Sequence, residues 1–329
     1  MLGRSSVTNN LIETTSFLTV NNSDVTPGEA SNNGAGDTIS RRAALAESSP
    51  RSFYQIALSH SDDKATGPRA IEQCAQNPQQ CPPARKDAKN PQCRITGHFY
   101  HNLYQLWLGP WSTDTVEEFA FLEIGFGQGR SIPVFNEFLP RAERHNMDVA
   151  CQGDLSRHPK YMQELYQAEI DKGRLHCGDS SNFEFLHATY TKVFKRPGAP
   201  PLKVVIDDAS HIARHMVAAV FFWLPRLEPG GLLFLEDIES NVSPKPVAHG
   251  IQSDFIPQLI NDVHYCGDAN KPEPDPCFPT LVNLIQSVHC DLHICVIQRN
   301  MEPASDPPKE LSIPTPNALD LSMCLGKKG

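Results

Sequence analysis

A glycine-rich segment, EIGFGQG at 123–129, carries the strongest chemical signal in the sequence. An apolar run ends there in glycines, whose missing side chains let a ligand approach the backbone. The helix that is predicted to follow offers its N-terminal amides to the same ligand. Residue 130 is arginine, so the dinucleotide fingerprint G-x-G-x-x-G is incomplete and an NAD-dependent oxidoreductase is disfavoured. We therefore predict a cofactor site formed by Glu123, Gly125, Gly127 and Gly129.

Two acidic residues follow the next two predicted strands. Asp154 comes after the strand candidate Asp148–Gln152, and Asp179 comes after Leu175–Cys177. A carboxylate at the tip of the strand beside a cofactor loop can bind both hydroxyls of a ribose. We predict this role for Asp154, and for Asp179 a hydrogen bond from an adenine amino group.

A second acidic cluster follows the fourth and fifth predicted strands, in DDASH at 207–211 and ED at 236–237. Ligands of open parallel sheets bind outside the carboxyl ends of the strands, so these groups should gather beside the glycine loop. We predict that Asp208 and Asp237 bind Mg²⁺ or another hard divalent cation, and that Asp207 faces the cofactor. His211 is the predicted general base. The alternative is that one acid caps the next helix while the others are solvated.

Alternating strands and helices must position these residues. The predicted strands are almost wholly apolar, as buried parallel strands are, and the alternation indicates an α/β fold with a doubly wound sheet. The predicted strands are Phe119–Ile124, Asp148–Gln152, Leu175–Cys177, Leu202–Ile206 and Leu232–Leu235. The predicted helices are Ser131–Phe138, His158–Lys172, Ile212–Leu224 with Ser210 as its cap, and Asp254–Val263. Leu281–Ser287 and His289–Arg299 are expected to close the sheet as an antiparallel strand pair.

The remaining segments differ in composition. Residues 1–45 are rich in Ser, Thr, Asn and Gly, and we predict that they are disordered because they cannot bury enough apolar surface. Residues 46–112 are predicted to form a helical cap with a Cys/Pro-rich insertion at 74–93. Residues 113–300 are predicted to form the catalytic domain, and 301–329 a loosely packed tail.

Composition excludes several classes of protein. The chain has 329 residues, 38 acidic and 29 basic, and a net charge of −9, which argues against binding nucleic acid or an anionic membrane. No apolar run approaches the length of a membrane span. The ten cysteines are irregularly spaced and form no close CxxC pairs that would suggest structural zinc. We interpret them as buried reduced thiols of a cytoplasmic protein. The start of the chain also lacks the apolar core of a secretory signal.

These motifs together resemble class I S-adenosylmethionine-dependent methyltransferases. The loop at 123–129 is similar to the first motif of that family. IDDASH at 206–211 and LEDI at 235–238 resemble the metal-dependent sugar O-methyltransferases of macrolide biosynthesis and the related cephalosporin-hydroxylase-like proteins. DKATG at 63–67 and GHFYHNLYQ at 97–105 resemble the N-terminal segment of that group, and SVHCDLHICVIQR at 287–299 resembles its final strand pair.

The resemblance implies a Rossmann-like sheet, S-adenosylmethionine as cofactor and Mg²⁺ in the site. By it, the three glycines cradle the amino-acid end of the cofactor, Asp154 holds the ribose and Asp179 the adenine side. Asp208 and Asp237 would bind the metal, and His211 would be the base. The implied reaction is methylation of a small-molecule hydroxyl, with an amine as alternative acceptor, in secondary metabolism. A homo-oligomer is compatible with this assignment.

Two rival functions stay open at this stage. An iron-dependent hydroxylase would need two histidines and a carboxylate, and the cluster at 208–237 supplies one histidine. A non-catalytic cofactor-binding protein would be expected to lose the glycines or the acids, and both are present.

Overall fold

The computed structural model describes residues 50–65, 98–241, 250–264 and 276–302. The predictions for the N-terminal 45 residues, for the insertion at 74–93 and for the tail beyond residue 302 lie outside these ranges. The division of the chain into a cap, a catalytic domain and a tail stays a prediction. Residues 51–329 cluster as one unit.

Within the described residues, seven strands form one sheet of order β3-β2-β1-β4-β5-β7-β6. The first five run parallel, whereas β7 pairs antiparallel with both β5 and β6. The doubly wound sheet and its C-terminal antiparallel pair are therefore confirmed. The strands are β1 Phe119–Ile124, β2 Ala142–Asp148, β3 Leu175–Cys177, β4 Leu202–Asp207, β5 Leu232–Leu235, β6 Ile285–Asp291 and β7 Ile294–Arg299.

Helices cover both faces of the sheet because alternate strand residues point to opposite sides. Phe119 and Phe121 of β1 pack with the helices before β2, whereas Ala120 and Leu122 pack with helices that follow β3. The described α-helices are α1 Phe53–Ser59, α2 His101–Leu108, α3 Ser131–Phe138, α4 Lys160–Asp171, α5 Phe183–Val193, α6 Ala213–Trp223, α7 Ile256–Val263 and α8 Pro279–Val282. None of them is long and apolar enough to cross a bilayer.

Helices α1 and α2 are part of the same core as the sheet. Ser52 caps α1 in a capping box with Gln55, which satisfies orphan amides of the first turn. Phe53 is fully buried and its ring lies 5.0 Å from Tyr104 and 5.1 Å from Phe138. This packing fixes the turn that follows α1 at the carboxyl edge of the sheet.

The second strand lies earlier than predicted. The prediction Asp148–Gln152 is wrong, because β2 spans Ala142–Asp148 and ends where the predicted strand begins. The error has a physical cause: β2 is polar, and its buried groups are paired instead of apolar. Arg144 Nη2 lies 2.6 Å from Glu169, and Asn146 Nδ2 donates to Glu123 at 2.8 Å. The strand tip therefore carries Asp148 and not Asp154.

Smaller differences concern helix ends. Helix α6 begins at Ala213 with Ile212 at its N-cap, and Ser210 Oγ accepts from the Ile212 amide at 3.3 Å instead of capping the helix directly. Helix α5 was not predicted from the apolar pattern. Its start is fixed by Asn182, whose side chain accepts from the amides of Glu184 and Phe185.

The interpretation of the cysteines as reduced thiols is wrong for the described pairs. Disulfides join Cys151 to Cys177 and Cys290 to Cys295, and Cys277 is also disulfide-bonded. Cys151 follows β2 and Cys177 ends β3, which are neighbours in the sheet. Their spacing in the sequence gives no sign of this proximity, since disulfide pairing depends on Cα separation in the fold.

Candidate active site

The order of strands reverses between β1 and β4, where ligands of doubly wound sheets bind. The loops that follow these two strands touch. The Asp208 amide donates to the carbonyl of Ile124 at 2.9 Å, and a Cβ on Gly125 would lie 2.0 Å from the Asp208 carbonyl oxygen. Gly125 also has a φ of +99°, so the sharp turn and the close approach both require glycine.

Two cavities open on either side of this contact and share Gly125, Gly127, Asp208 and Ala209. The first, here called the Asp148 cavity, has a volume of about 340 Å³. The second, the Lys64 cavity, has a volume of about 380 Å³. Both volumes lie in the range of small-molecule sites. The Asp148 cavity is also lined by Met147, Val149, Asp179 and Ser180; the Lys64 cavity by Asp62, Glu123, Gln128, Arg130, His211 and Asp237.

Asp148 anchors the glycine loop. Its Oδ2 accepts from the amides of Phe126 at 2.8 Å and Gly127 at 3.3 Å, and its Oδ1 accepts from Ala150 at 2.7 Å. Asp148 lines the cavity named after it. The prediction that Asp154 occupies this place is wrong. Asp154 is exposed, caps a short turn by accepting from the Ser156 amide at 2.9 Å, and lines neither cavity.

The other predicted cofactor residues divide into two sets. Glu123, Gly125, Gly127 and Asp179 line the cavities, as expected. Gly129 and Asp207 do not. A Cβ on Gly129 would meet Leu165 at 2.8 Å, so this glycine serves helix packing. Asp207 is buried, and burial together with the neighbouring Asp208 raises its pKa to about 7.

Asp208, His211 and Asp237 converge as predicted, with one ligand atom from each lying within 4.8 Å of the others. His211 Nε2 lies 3.5 Å from Asp237 Oδ2. Both His211 and Asp237 have positive φ, at +50° and +51°, which is uncommon outside glycine. Such strain persists where the surroundings fix the conformation and is concentrated at functional sites. The carboxylate oxygens of Asp208 and Asp237 fit a hard divalent cation.

Tyr100 and His98 hold the far side of Asp237. The Tyr100 hydroxyl donates to Asp237 Oδ1 and accepts from the Asp237 amide at 3.2 Å. His98 Nε2 lies 3.3 Å from the same Oδ1, and its ring stacks on Tyr100. Burial and the surrounding carboxylates raise the pKa of Tyr100, so the hydroxyl remains a neutral donor. The two residues lie in the GHFYHNLYQ motif, to which sequence reasoning assigned no role.

Lys64 was also missed, although it lies in the DKATG motif. Its ammonium contacts Glu236 at 2.7 and 2.9 Å, Asp208 Oδ2 at 3.0 Å and Glu123 at 3.6 Å. Burial would lower the pKa of Lys64, but the carboxylates of Asp208 and Glu236 outweigh it and hold that pKa well above its usual value. The Tyr104 hydroxyl donates to Glu236 from the other side.

The site thus combines a strand-tip carboxylate, a glycine loop and an acidic cluster with one histidine. Residues 122–238, which hold all of these parts, match a family model described as a methyltransferase domain. The chain contains a methyltransferase domain. The resemblance proposed from the motifs is confirmed for this segment.

Two curated relatives of the matched segment are named as O-methyltransferases. One is the 8-demethyl-8-alpha-L-rhamnosyl tetracenomycin-C 2'-O-methyltransferase of Streptomyces olivaceus, 38% identical over 192 residues, which are 53% of this chain and 44% of that protein. Another is the mycinamicin VI 2''-O-methyltransferase of Micromonospora griseorubida, 28% identical over 131 residues, which are 37% of this chain and 28% of that protein. The chain therefore spans less than half the length of these relatives.

A solved structure supports the fold of the methyltransferase domain. MycE methyltransferase in complex with Mg and SAH superposes with a TM-score of 0.50 at 16% identity. The match covers 89% of this chain and 68% of that one. At this identity the comparison establishes a shared fold.

Proposed function

We propose that this protein transfers a methyl group from S-adenosylmethionine to a hydroxyl of a small molecule, with a divalent cation bound in the site. The observation that carries the proposal is the junction of the two cavities at Gly125 and Asp208. There a cavity suited to a nucleoside meets the cluster of Asp208, His211 and Asp237. The rhamnosyl substrate named for one relative supports a glycoside as the acceptor, with an amine as the less favoured one.

The adenosine half of the cofactor is assigned to the Asp148 cavity. Asp148 would accept from the ribose hydroxyls, in place of Asp154, and Asp179 would accept from the adenine amino group. The methionine end would then cross Gly125 and Gly127 into the Lys64 cavity beside Glu123. Lys64 and several carboxylates give this cavity the mixed charge that an amino acid requires.

In the proposed reaction, the cofactor and the cation supply the reactive groups, and the protein residues position them and accept the proton. When bound, the cofactor would supply an electrophilic methyl group, and a divalent cation would lower the pKa of the acceptor hydroxyl. Asp208 and Asp237 would hold that cation. His211 Nε2 accepts the hydroxyl proton, and the neighbouring Asp237 carboxylate stabilises the resulting imidazolium. Much of the rate then comes from holding the acceptor oxygen and the methyl carbon close together.

Titration calorimetry with S-adenosylhomocysteine, in Mg²⁺ and in EDTA, tests the cofactor assignment. We expect micromolar binding in both conditions, because the cofactor contacts lie on the glycine loop and on strand tips. Failure to bind in either condition would contradict the proposed function.

The His211→Gln variant tests the base. We expect S-adenosylhomocysteine to bind as in the wild type, while methyl transfer to rhamnosides falls about 10²–10⁴-fold, the usual contribution of general base catalysis. Mass spectrometry of the acceptor measures the transfer. His187→Gln is the matched control, since His187 is exposed on α5 and lines neither cavity. Equal transfer by wild type and His211→Gln would show that His211 is not the base.

Location and assembly stay predictions. The cytoplasmic assignment rested in part on reduced cysteines, and the disulfides count against it because such bonds persist mainly in oxidising compartments. The predicted lack of nucleic-acid partners rests on the net charge of −9. A homo-oligomer remains compatible with the chain.

A further inference from the structure

Lys64 is the most deeply buried cationic group at the site. The side chain is 1% exposed, although lysine is almost never fully buried unless it is paired. It belongs to a turn, Asp63–Ala65, that follows α1 and lies far from the glycine loop in sequence. Its ammonium reaches across to the tips of β4 and β5, where it touches Asp208 and Glu236.

The carboxylates around this ammonium outnumber it. Glu123 and Glu236 are each about 1% exposed, and Asp208 belongs both to the Lys64 contacts and to the cluster with His211 and Asp237. Buried carboxylates so close together repel one another and need a counter-charge. Lys64 is the cation that the described residues place among them.

We propose that Lys64 is a built-in cation that keeps this carboxylate cluster assembled when no divalent metal is bound, and that sets how tightly the metal binds. The inference rests on the proposed function, since it concerns the same metal site. Lys64 is a positioning residue: it neutralises Glu236 and holds Asp208 Oδ2, so that Asp208 is already oriented beside His211 and Asp237. Metal and Lys64 thus share one set of negative charges.

A purely structural ion pair would behave differently. Removing one partner of such a pair destabilises the protein whether or not Mg²⁺ is present. A built-in cation can be replaced by another cation, because the loss of the ammonium leaves a stronger negative field at the metal position. Rescue of stability by Mg²⁺ therefore separates the two roles.

The test compares Lys64→Met with the wild type, using thermal unfolding in EDTA and in Mg²⁺, and calorimetric titration with Mg²⁺ alone. We expect the variant to unfold at a lower temperature in EDTA and to recover most of this loss in Mg²⁺. We also expect its Mg²⁺ affinity to rise about tenfold or more, since a unit positive charge beside the site is lost. Lys64→Arg keeps the positive charge, and we expect its Mg²⁺ affinity to stay closer to that of the wild type than to that of Lys64→Met.

Two further variants control the test. Lys172→Met removes a lysine whose ion pair with Glu169 lies on α4, and we expect Mg²⁺ affinity as in the wild type. Lys64→Met combined with Glu236→Gln restores the charge balance, and we expect it to regain stability in EDTA. If Lys64→Met does not fold in EDTA, refolding in Mg²⁺ or in this double variant supports the proposal, and failure of both contradicts it.

Two other results would contradict the proposed role of Lys64. An unchanged Mg²⁺ affinity in Lys64→Met, with the same loss of stability in EDTA and in Mg²⁺, would make Lys64 an ordinary structural pair. Binding of S-adenosylhomocysteine without Mg²⁺ binding in either protein would contradict the role of Lys64 and leave the proposed methyl transfer standing.

Discussion

Asp148 does two things with one carboxylate. It accepts hydrogen bonds from the backbone amides of Phe126, Gly127 and Ala150. It also lines the cavity assigned to the adenosine half of the cofactor. The glycine loop and the ribose position are thereby fixed by the same side chain. Removing its charge should weaken both.

The Asp148→Asn variant should bind S-adenosylhomocysteine about 10–100-fold more weakly, because hydrogen bonds to a charged group contribute about 1.5–3 kcal/mol each. Calorimetry measures the change. Asp154→Asn is the matched control, and we expect it to bind within about twofold of the wild type. A larger loss in Asp154→Asn than in Asp148→Asn would restore the assignment made from the sequence.

His176 predicts a dependence of stability on pH. Burial, helped by His145, lowers its pKa to about 4, below the 6.5 of an unfolded histidine. The unfolded state therefore binds the proton first, and stability is lost as the pH falls from about 6.5 towards 4. In His176→Gln this acid loss should be about 2 kcal/mol smaller, measured by urea unfolding at pH 7 and pH 4.5. His187→Gln, on the exposed face of α5, should lose stability as the wild type does.

Among the elements, β2 marks the limit of pattern-based prediction. Strands β1, β4 and β5 are apolar and were predicted within one residue. Strand β2 was missed because its polar side chains are paired with Glu123 of β1 and Glu169 of α4, and a pattern of hydrophobicity does not show such pairing. Because the strand was predicted too late in the sequence, the ribose-binding role was assigned to Asp154. The acidic cluster was predicted correctly because it depends only on strand ends, whereas Lys64 and Tyr100 depend on tertiary packing.

The disulfide between Cys151 and Cys177 joins the elements that form the Asp148 cavity. Cys151 follows the turn that begins at Asp148, and Cys177 precedes Gly178 and Asp179. Reduction removes this constraint, so the two loops must become ordered when the ligand binds. Because this ordering costs free energy, we expect S-adenosylhomocysteine to bind about 3–10-fold more weakly in dithiothreitol.

The other disulfide supplies the control. Cys290→Ser with Cys295→Ser breaks the bond in the β6–β7 hairpin at the opposite edge of the sheet. This variant should bind S-adenosylhomocysteine as tightly as the wild type does, and dithiothreitol should weaken its binding to the same extent. Cys151→Ser with Cys177→Ser should bind weakly with or without reductant; tight binding by that variant would refute the constraint.

At the scale of the whole molecule, the N-terminal helices and the sheet share one core. Phe53 contacts residues of both α2 and α3. Phe53→Ala should lower the free energy of unfolding by about 3–5 kcal/mol, the usual cost of removing a buried phenylalanine. Circular dichroism and tryptophan fluorescence should report a single transition, and two separate transitions would show that the N-terminal helices fold independently.

The contact between Lys64 and Glu236 joins positions 172 residues apart. At a ribosomal rate of about 5–20 residues per second, Lys64 is synthesised about 10–30 s before Glu236. Strand β7, which completes the pairing of β5, is made later still. The growing chain thus carries Lys64 without Glu236 for about half of its synthesis. The pair between Lys64 and Glu236 therefore forms only after β5 has been made, when most of the sheet is already present.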